Sequence, residues 1–217
     1  MLKQRAVIFV NGEIPDPKLV RTILSSEDYF VAADGGLNHL RRLSINPHLV
    51  IGDLDSVSEI ERQYLTQSGI EIELAQIEKD ESDLELAIQS VVNRGYSRIL
   101  IVGALGNRLD HTLGNIFLLA LPVLQNCEVR LDDGRIAVFL IQKETQIWGK
   151  KGDLVSLIPI NGPVSGVETT GLYYPLNEET LRPFFTRGIS NHLLGERATI
   201  NVKSGCLLCI HTRSLDE

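Results

Sequence analysis

The sequence predicts an α/β protein: an N-terminal domain with a mostly parallel sheet, followed by a C-terminal antiparallel β-sandwich domain. Two observations predict this division. Residues 1–126 alternate strand-like and helix-like patterns, as in successive βα units. After Asn126, seven short β-branched or alternating segments follow one another without a helical pattern, which is typical of a sandwich. The predicted domains span residues 1–127 and 128–217.

Four apolar segments of the first domain have the character of buried strands, and each is followed by a glycine or a polar residue. The segments are Ala6–Val10, Tyr29–Ala33, Leu49–Ile51 and Ile99–Val102. The residues that follow them are Asn11-Gly12, Asp34-Gly35-Gly36, the Gly-Asp-Leu-Asp-Ser segment 52–56, and Gly103. In an open parallel sheet, the carboxyl ends of the strands line the ligand crevice. We therefore expect these acids and glycines to meet in one site.

Helical periodicity is found between these strands. The clearest helix is predicted over Asp110–Gln125, where apolar residues at helical spacing predict one buried stripe: Leu113, Ile116, Phe117, Ala120, Leu121 and Leu124. A second helix is predicted over Ser82–Arg94, with Gly95 as its C-cap. Shorter helices are predicted at Lys18–Ser25, Gly36–Leu43 and Ser58–Ser68.

The second domain is predicted to contain only strands. These are Glu128–Leu131, Ile136–Ile141, Thr145–Trp148, Leu154–Ile160, Val164–Thr169, Ala198–Val202 and Leu207–Thr212. The first of them is also compatible with an addition to the parallel sheet. Cys206 and Cys209 have CxxC spacing, but no second ligand pair accompanies them, which favours strand cysteines over a zinc or redox site.

Composition excludes several classes of function. The 217 residues carry a formal net charge of −7 and no block of basic residues, so nucleic-acid binding is not expected. No apolar run approaches the roughly 20 residues of a membrane span, and the first residues do not resemble a signal peptide. Three cysteines, an odd number, argue against a disulfide framework. We expect a cytoplasmic protein without a membrane partner.

Acidic residues cluster after the predicted strands and at the start of the second helix. Asp53 and Asp55 are two apart in extended chain, so both carboxylates can face one ion, although the segment also suits a solvated turn. Asp34 also follows a strand, whereas Asp80 and Asp83 could simply cap a helix. Neighbouring carboxylates repel by about 4 kcal/mol at an effective dielectric of 20, which favours a bound cation. Oxygen ligands without His or Cys suit Mg²⁺.

The glycine-bearing loop before the clearest helix supplies positive charge. It contains Gly103, Gly106 and Arg108, and it leads into Asp110 and His111. A helix N-terminus binds anions through its free amides, and an arginine can add a bidentate contact. His111 could donate to a phosphate or simply cap or pack. The loop matches neither G-x-G-x-x-G nor G-x-x-x-x-G-K-[ST], so a standard Rossmann or Walker site is not supported.

Six sequence blocks resemble the thiamine pyrophosphokinase family, and the resemblance runs almost end to end. They are AADGG at 32–36, GDLDS at 52–56, EKDESD at 78–83, GALGNRLDHTLGNI at 103–116, TTGLYYPL at 169–176 and RGISN at 187–191. The resemblance implies an α/β domain and a β-sandwich domain, and a homodimer with active sites at the subunit interface. It also implies transfer of the terminal diphosphate of ATP to the hydroxyethyl group of thiamine, with Mg²⁺ and with release of AMP.

The resemblance assigns roles to individual residues. It implies catalytic roles for Asp34, Asp53, Asp55 and Asp83, the last three of them also as metal ligands. It implies a phosphate or ATP site made by Asp80, Gly103, Gly106, Arg108, Asp110 and His111. It implies thiamine binding by Tyr174, Ser190 and Asn191.

Two residues depart from the family pattern. Asn107 stands where a glycine is common, and Tyr174 stands where many relatives have a tryptophan over the thiamine rings. A tyrosine face can still stack on a cationic thiazolium. Two alternatives stay open: a related pyrophosphokinase acting on another alcohol, such as a hydroxymethylpterin, and a non-catalytic thiamine or nucleotide sensor. Whether Asp34 or Asp83 orients the thiamine hydroxyl also stays open.

Overall fold

The computed structural model describes residues 5–52, 65, 67–74, 80–106 and 108–214. The chain divides into two compact units, unit 1 (Met1–Gly134) and unit 2 (Arg135–Glu217). The fold is mixed α/β. Helices and strands alternate in unit 1, and the described part of unit 2 contains strands without helices.

Within the described residues of unit 1, six strands form a sheet in which all pairings are parallel. Its strands are β1 (Ala6–Phe9), β2 (Tyr29–Ala33), β3 (Leu49–Gly52), β4 (Glu71–Leu74), β5 (Arg98–Val102) and β6 (Glu128–Asp132). Their order is β4-β3-β2-β1-β5-β6. The four predicted strands are confirmed, and β4 is an additional one. Because β6 pairs with β5, the division between the units follows Gly134 rather than Cys127.

The described helices of unit 1 are α1 (Pro17–Thr22), α2 (Gly36–Arg42), α3 (Asp83–Asn93) and α4 (Leu109–Leu118). The predicted second helix is confirmed as α3, with the Ser82 hydroxyl accepting from the Glu85 amide at 3.2 Å as its N-cap. Its buried face consists of Leu84, Ala87, Ile88 and Val91. The helix predicted at Ser58–Ser68 lies mostly outside the described residues.

The prediction for the clearest helix is wrong in its length and its burial. Helix α4 ends at Leu118, and a separate 3₁₀ turn covers Pro122–Leu124. The residue before a proline is disfavoured in the α region, and Leu121 accordingly has an extended ψ of 134°. No residue of α4 is buried: Leu113 is 46% exposed and Phe117 is 59% exposed. The apolar stripe exists, but in unit 1 by itself it does not face the core.

Unit 2 is built from antiparallel strand pairs. The strands are β7 (Ile136–Ile141), β8 (Thr145–Trp148), β9 (Leu154–Thr170), β10 (Glu179–Leu181), β11 (Asn191–His192), β12 (Arg197–Asn201) and β13 (Ser204–Thr212). Strand β9 pairs with β13, β12, β10 and β11, while β7 pairs with β13 and β8 with β12. The inward faces form a core that includes Phe139, Ile147, Leu157 and Leu207.

Strand β9 replaces two predicted strands. The expected break at Asn161-Gly162 is a bend in one continuous strand, where both residues have positive φ (59° and 125°). Cys206 and Cys209 lie on strand β13, in agreement with the prediction of strand cysteines. Among the described helices, none has the length and apolar character needed to cross a membrane.

Candidate active site

Glycines bring three strand ends of unit 1 into close contact. Gly12 follows β1 and Gly103 follows β5, and a Cβ on Gly12 would lie 2.0 Å from the Gly103 carbonyl oxygen. A Cβ on Gly36, at the start of α2, would lie 1.9 Å from the Phe9 carbonyl oxygen. Side chains at these positions would force the loops apart. The glycines therefore allow the loops after β1, β2 and β5 to share one edge of the sheet.

Asp34 lies at this edge in a conformation that is unusual for a residue with a side chain. Its φ is 49°, in the left-handed region that aspartate tolerates better than most residues. The Asp34 amide donates to the Ile51 carbonyl at 2.9 Å, and the Asn11 side-chain amide donates to the Asp34 carboxylate at 3.4 Å. These two contacts hold Asp34 where β2 ends and next to the loop after β1.

The loop after β5 is fastened to the helix that follows it. The Thr112 hydroxyl contacts both the amide and the carbonyl of Gly106, each at 3.2 Å. The Asn115 side-chain amide donates to the Ala104 carbonyl at 2.9 Å. Both side chains project from α4, so the described loop residues keep a fixed position against the helix N-terminus, where free amides favour an anion.

Arg108 and Asp110 form an ion pair at the start of α4. The Arg108 guanidinium donates to the Asp110 carboxylate at 2.6 Å, and this hydrogen bond lowers the pKa of the carboxyl to about 2. Both side chains are largely exposed, so the pair contributes little to stability. Asp110 thus holds the guanidinium at the loop, and an incoming phosphate would compete with this carboxylate for it.

A cavity of about 430 Å³ collects these features in unit 1. Of the predicted site residues, six line it: Asp34, Asp83, Gly103, Gly106, Arg108 and His111. Asp110 does not line the cavity but is hydrogen-bonded to Arg108, which does. Asp80 is exposed and does not line the cavity. Asp53 and Asp55 lie outside the described residues, as does Asn107.

Several cavity residues were not among those assigned a role from the sequence. Asn11, Glu13, Thr112 and Asn115 also line the cavity. Asn11 carried a usable signal, because it follows a predicted strand just as Asp34 does. Thr112 and Asn115 are three residues apart on α4 and so share a helix face, but only the folded loop reveals their partners.

The described acids fit a hard cation. The carboxylates of Asp34 and Asp83 line the same cavity, and Mg²⁺ commonly takes one or two carboxylates together with substrate phosphates. Within the described ranges, no three His, Cys, Asp or Glu side chains are grouped so that they could hold a metal ion. The donor set therefore suits an ion that is shared with a substrate.

The three residues predicted to bind thiamine lie together in unit 2. The Asn191 side chain is bonded to Tyr174 twice: its carbonyl accepts from the Tyr174 amide at 3.0 Å, and its amide donates to the Tyr174 carbonyl at 2.7 Å. Ser190 has a φ of 59°, and its amide donates to the Ser156 hydroxyl at 3.1 Å. Tyr174 is 53% exposed, and its ring meets the Tyr173 ring edge-on at 4.8 Å. An aromatic surface is thereby presented next to a fixed amide.

Fold and cavity together define a class of protein: an α/β protein whose parallel strands end at an acidic, glycine-lined site suited to a polyphosphate. Comparison with known proteins narrows this class. Residues 20–131 match the family model described as "Thiamin pyrophosphokinase, catalytic domain", and residues 139–207 match "Thiamin pyrophosphokinase, vitamin B1 binding domain". The chain belongs to the thiamin pyrophosphokinase family.

Individual relatives agree with this assignment. A thiamine pyrophosphokinase of Bacillus subtilis is 32% identical over 185 residues, covering 84% of this chain and 86% of that protein. A solved thiamine pyrophosphokinase structure from Bacillus subtilis has a TM-score of 0.85 at 28% identity, covering 98% of this chain and 100% of the other. A thiamin pyrophosphokinase family protein from Enterococcus faecalis has a TM-score of 0.80 at 25% identity, with coverage of 98% and 100%.

Proposed function

We propose that this protein transfers a diphosphate group from MgATP to the hydroxyethyl group of thiamine, giving thiamine diphosphate and AMP. The observation that carries the proposal is the cavity that Asp34, Asp83 and Arg108 line together with the glycine loop after β5. Membership of the thiamin pyrophosphokinase family supports it. The cavity supplies the opposite charges that a polyphosphate and its cation require.

The reaction is an attack of the thiamine hydroxyl oxygen on the β-phosphorus of ATP. A new oxygen–phosphorus bond forms, and the bond from that phosphorus to the oxygen that bridges it to the α-phosphate breaks, so that AMP leaves with the bridging oxygen. The hydroxyl proton passes to a carboxylate, for which Asp34 and Asp83 are the described candidates. Such transfers depend mainly on positioning and on neutralisation of charge.

The loop and its arginine neutralise the phosphates. Arg108 can leave Asp110 for a phosphate, because a guanidinium binds either anion through the same two-pronged contact. Residues 103–106 line the cavity, and Thr112 fixes the loop that they form. Gly103, Gly106, Arg108 and His111 are the proposed contacts to ATP, supported by Asp80 and Asp110.

Magnesium is the proposed cofactor. Asp83 would hold it together with Asp53 and Asp55, which lie outside the described residues, and Asp34 faces the same cavity. Bound to the polyphosphate, the ion supplies neutralisation of the negative charge on the leaving AMP. The carboxylates hold the ion and, by repelling bare phosphate, favour the metal-bound nucleotide.

Thiamine is proposed to bind in unit 2 at Tyr174, Ser190 and Asn191. The tyrosine ring can stack on the cationic thiazolium, and the Asn191 contacts fix the backbone of that tyrosine. We further propose a cytoplasmic homodimer with active sites at the subunit interface. Unit 1 would be the catalytic domain, and unit 2 would be the β-sandwich domain that binds thiamine. The exposed apolar residues of α4, Leu113 and Phe117, agree with a partner in solution.

The test is product analysis with matched alcohols. The protein is incubated with MgATP and either thiamine, a hydroxymethylpterin or no alcohol, and nucleotides are separated by chromatography. We expect AMP and thiamine diphosphate in equal amounts with thiamine only. AMP with the pterin alone would indicate the related pyrophosphokinase. Thiamine binding without AMP would indicate a sensor, and ADP as the product would contradict diphosphate transfer.

A further inference from the structure

A buried acid–base pair lies in unit 2, and neither of its residues has been assigned a role above. The Asp153 carboxylate is 2% exposed and the His211 ring is 4% exposed, and the two are 3.0 Å apart. Asp153 ends the turn before β9, and His211 lies near the end of β13. Burial of such a pair is costly unless its polar atoms are satisfied, so its presence calls for a reason.

The Asp153 carboxylate is fully occupied by donors. One oxygen accepts from the Lys150 amide at 3.0 Å and from His211 Nε2 at 3.0 Å. The other accepts from the amide and the hydroxyl of Ser214, at 2.8 and 2.6 Å. Burial raises the pKa of Asp153, but the hydrogen bonds outweigh it and lower that pKa to about 2. An ionised carboxylate only accepts, so His211 carries a proton on Nε2.

The turn is shaped around this pair. A Cβ on Gly149 would lie 2.3 Å from an Asp153 carboxylate oxygen and 2.9 Å from His211 Nε2. Only a residue without a side chain leaves room for the carboxylate and the imidazole at this place. Two stretches of chain, the 149–153 turn and residues 211–214 at the end of β13, therefore meet at one carboxylate.

The backbone of Asp153 holds the segment that carries the proposed thiamine residues. The Leu193 amide donates to the Asp153 carbonyl at 2.9 Å, and the Gly152 amide donates to the Leu193 carbonyl at 2.9 Å. Asn191, two residues earlier, pairs with Val155 of β9. Strand β11 has only two residues, so its position depends on these flanking bonds rather than on its own length.

The chain of contacts then continues to the tyrosine. Asn191 is bonded to both the amide and the carbonyl of Tyr174. On the same side, the Tyr173 amide donates to the His192 carbonyl at 3.0 Å, and the two rings stack at 4.6 Å. A shift of the Asp153 turn would therefore move Asn191, and with it the proposed thiamine-stacking tyrosine.

We propose that Asp153, held by His211 and Ser214, is a positioning residue that sets the geometry of Asn191 and Tyr174 and thereby the affinity for thiamine. The inference rests on the proposed function. It assigns no contact between Asp153 and the substrate. It separates two properties of the enzyme: thiamine recognition depends on this buried network, and nucleotide recognition in unit 1 does not.

The test is Asp153→Asn, which keeps the shape of the side chain but replaces one acceptor oxygen by an amide donor. We expect KM for thiamine to rise about tenfold, with KM for ATP and kcat within about twofold of the wild type. The matched control is Asp28→Asn, because Asp28 is a buried carboxylate of unit 1 that accepts from Arg5 at 2.6 Å and from the Ser25 amide at 2.7 Å. The control should lose thermal stability without a change in either KM.

The outcomes separate this inference from the proposed function. A wild type that forms no thiamine diphosphate removes the proposed function itself. An active wild type whose Asp153→Asn variant keeps the same KM for thiamine, or loses affinity for both substrates equally, overturns the positioning role alone. If Asp153→Asn does not fold, the test uses Ser214→Ala, which deletes the hydroxyl donor to Asp153 and keeps the backbone amide donor. KM for thiamine should then rise about threefold, and an unchanged KM overturns the inference.

Discussion

Gly12 offers the sharpest test of how the strand ends build the cavity. Gly12→Ala would place a Cβ 2.0 Å from the Gly103 carbonyl oxygen, and Cβ atoms essentially never approach other atoms closer than 3.0 Å. The loops after β1 and β5 must therefore separate by at least 1.0 Å, the difference between these distances. Overpacking of this kind costs about 1–3 kcal/mol of stability. A misplacement of about 1 Å in a site costs about 100-fold in rate.

The matched control is Gly114→Ala on helix α4. A Cβ there meets nothing within 4 Å, and alanine in a helix interior is favoured over glycine by about 1 kcal/mol. Both variants are measured by urea unfolding and by initial rates of AMP formation. We expect Gly12→Ala to lose both stability and rate, and Gly114→Ala to keep its rate. A Gly12→Ala variant as stable and as active as the wild type would refute the close approach of these loops.

Three further predictions concern charge and pH. Arg108→Gln should raise KM for ATP about tenfold, measured by steady-state kinetics, because a charge-assisted contact is lost; an unchanged KM would remove Arg108 from the phosphate site. Burial, reinforced by the charge of Arg42, lowers the pKa of His39 despite the 2.7 Å bond between His39 and the Gly12 carbonyl. At pH values below about 6.5, the unfolding free energy of the wild type should therefore decrease as the pH is lowered, and that of His39→Gln should decrease less. Equal decreases with pH in the two proteins would contradict a neutral His39. Because the pKa of Asp153 is lowered to about 2, its contribution is present above pH 3.8 and is lost as pH falls towards 2. The stability gap between wild type and Asp153→Asn should narrow by about 2 kcal/mol over that interval in chemical unfolding; a constant gap would contradict the ionised acid.

The strands that lead to the site were predictable because their signal is local. Tyr29–Ala33 is a continuous apolar run that ends in Asp34-Gly35-Gly36, and both the run and its turn are legible without any partner. Strand β4 carries no such signal, because Glu71–Leu74 is short, half charged and defined by its parallel pairing with β3. Its existence depends on a neighbour that is distant in sequence.

Periodicity alone did not predict what a helix face contacts. The apolar spacing around Leu113 and Phe117 correctly indicates a helix, but it does not distinguish a face on the core of unit 1 from one left exposed there. Pro122 was the local signal that the helix ends early. In the same way, Asn161-Gly162 reads as a turn, but it is an irregularity within strand β9, where the pairing with β13 shifts register between Ile160 and Ser165.

The sequence indicated several of the acids and glycines that line the cavity, but not the residues that hold the loop in place. Asp34, Asp83 and Arg108 were identified by residue type and family resemblance, and they do line one cavity. Asn115 and Thr112 act by holding a loop, and Asp153 meets His211 across 58 residues of sequence. Such contacts have no sequence pattern, because they arise only when separate elements pack.

The central claim is that carboxylates from separate stretches of chain coordinate one divalent ion, which also binds a polyphosphate. The most direct measurement is a crystal structure with Mn²⁺ in place of Mg²⁺, thiamine and an ATP analogue in which a methylene group replaces the α,β-bridging oxygen. We expect an anomalous peak for a Mn²⁺ ion that is bound by Asp83 and by phosphate oxygens. The phosphates should contact Gly103–Gly106 and Arg108. Mn²⁺ and phosphates located elsewhere, with Asp34 and Asp83 facing only solvent, would contradict the account.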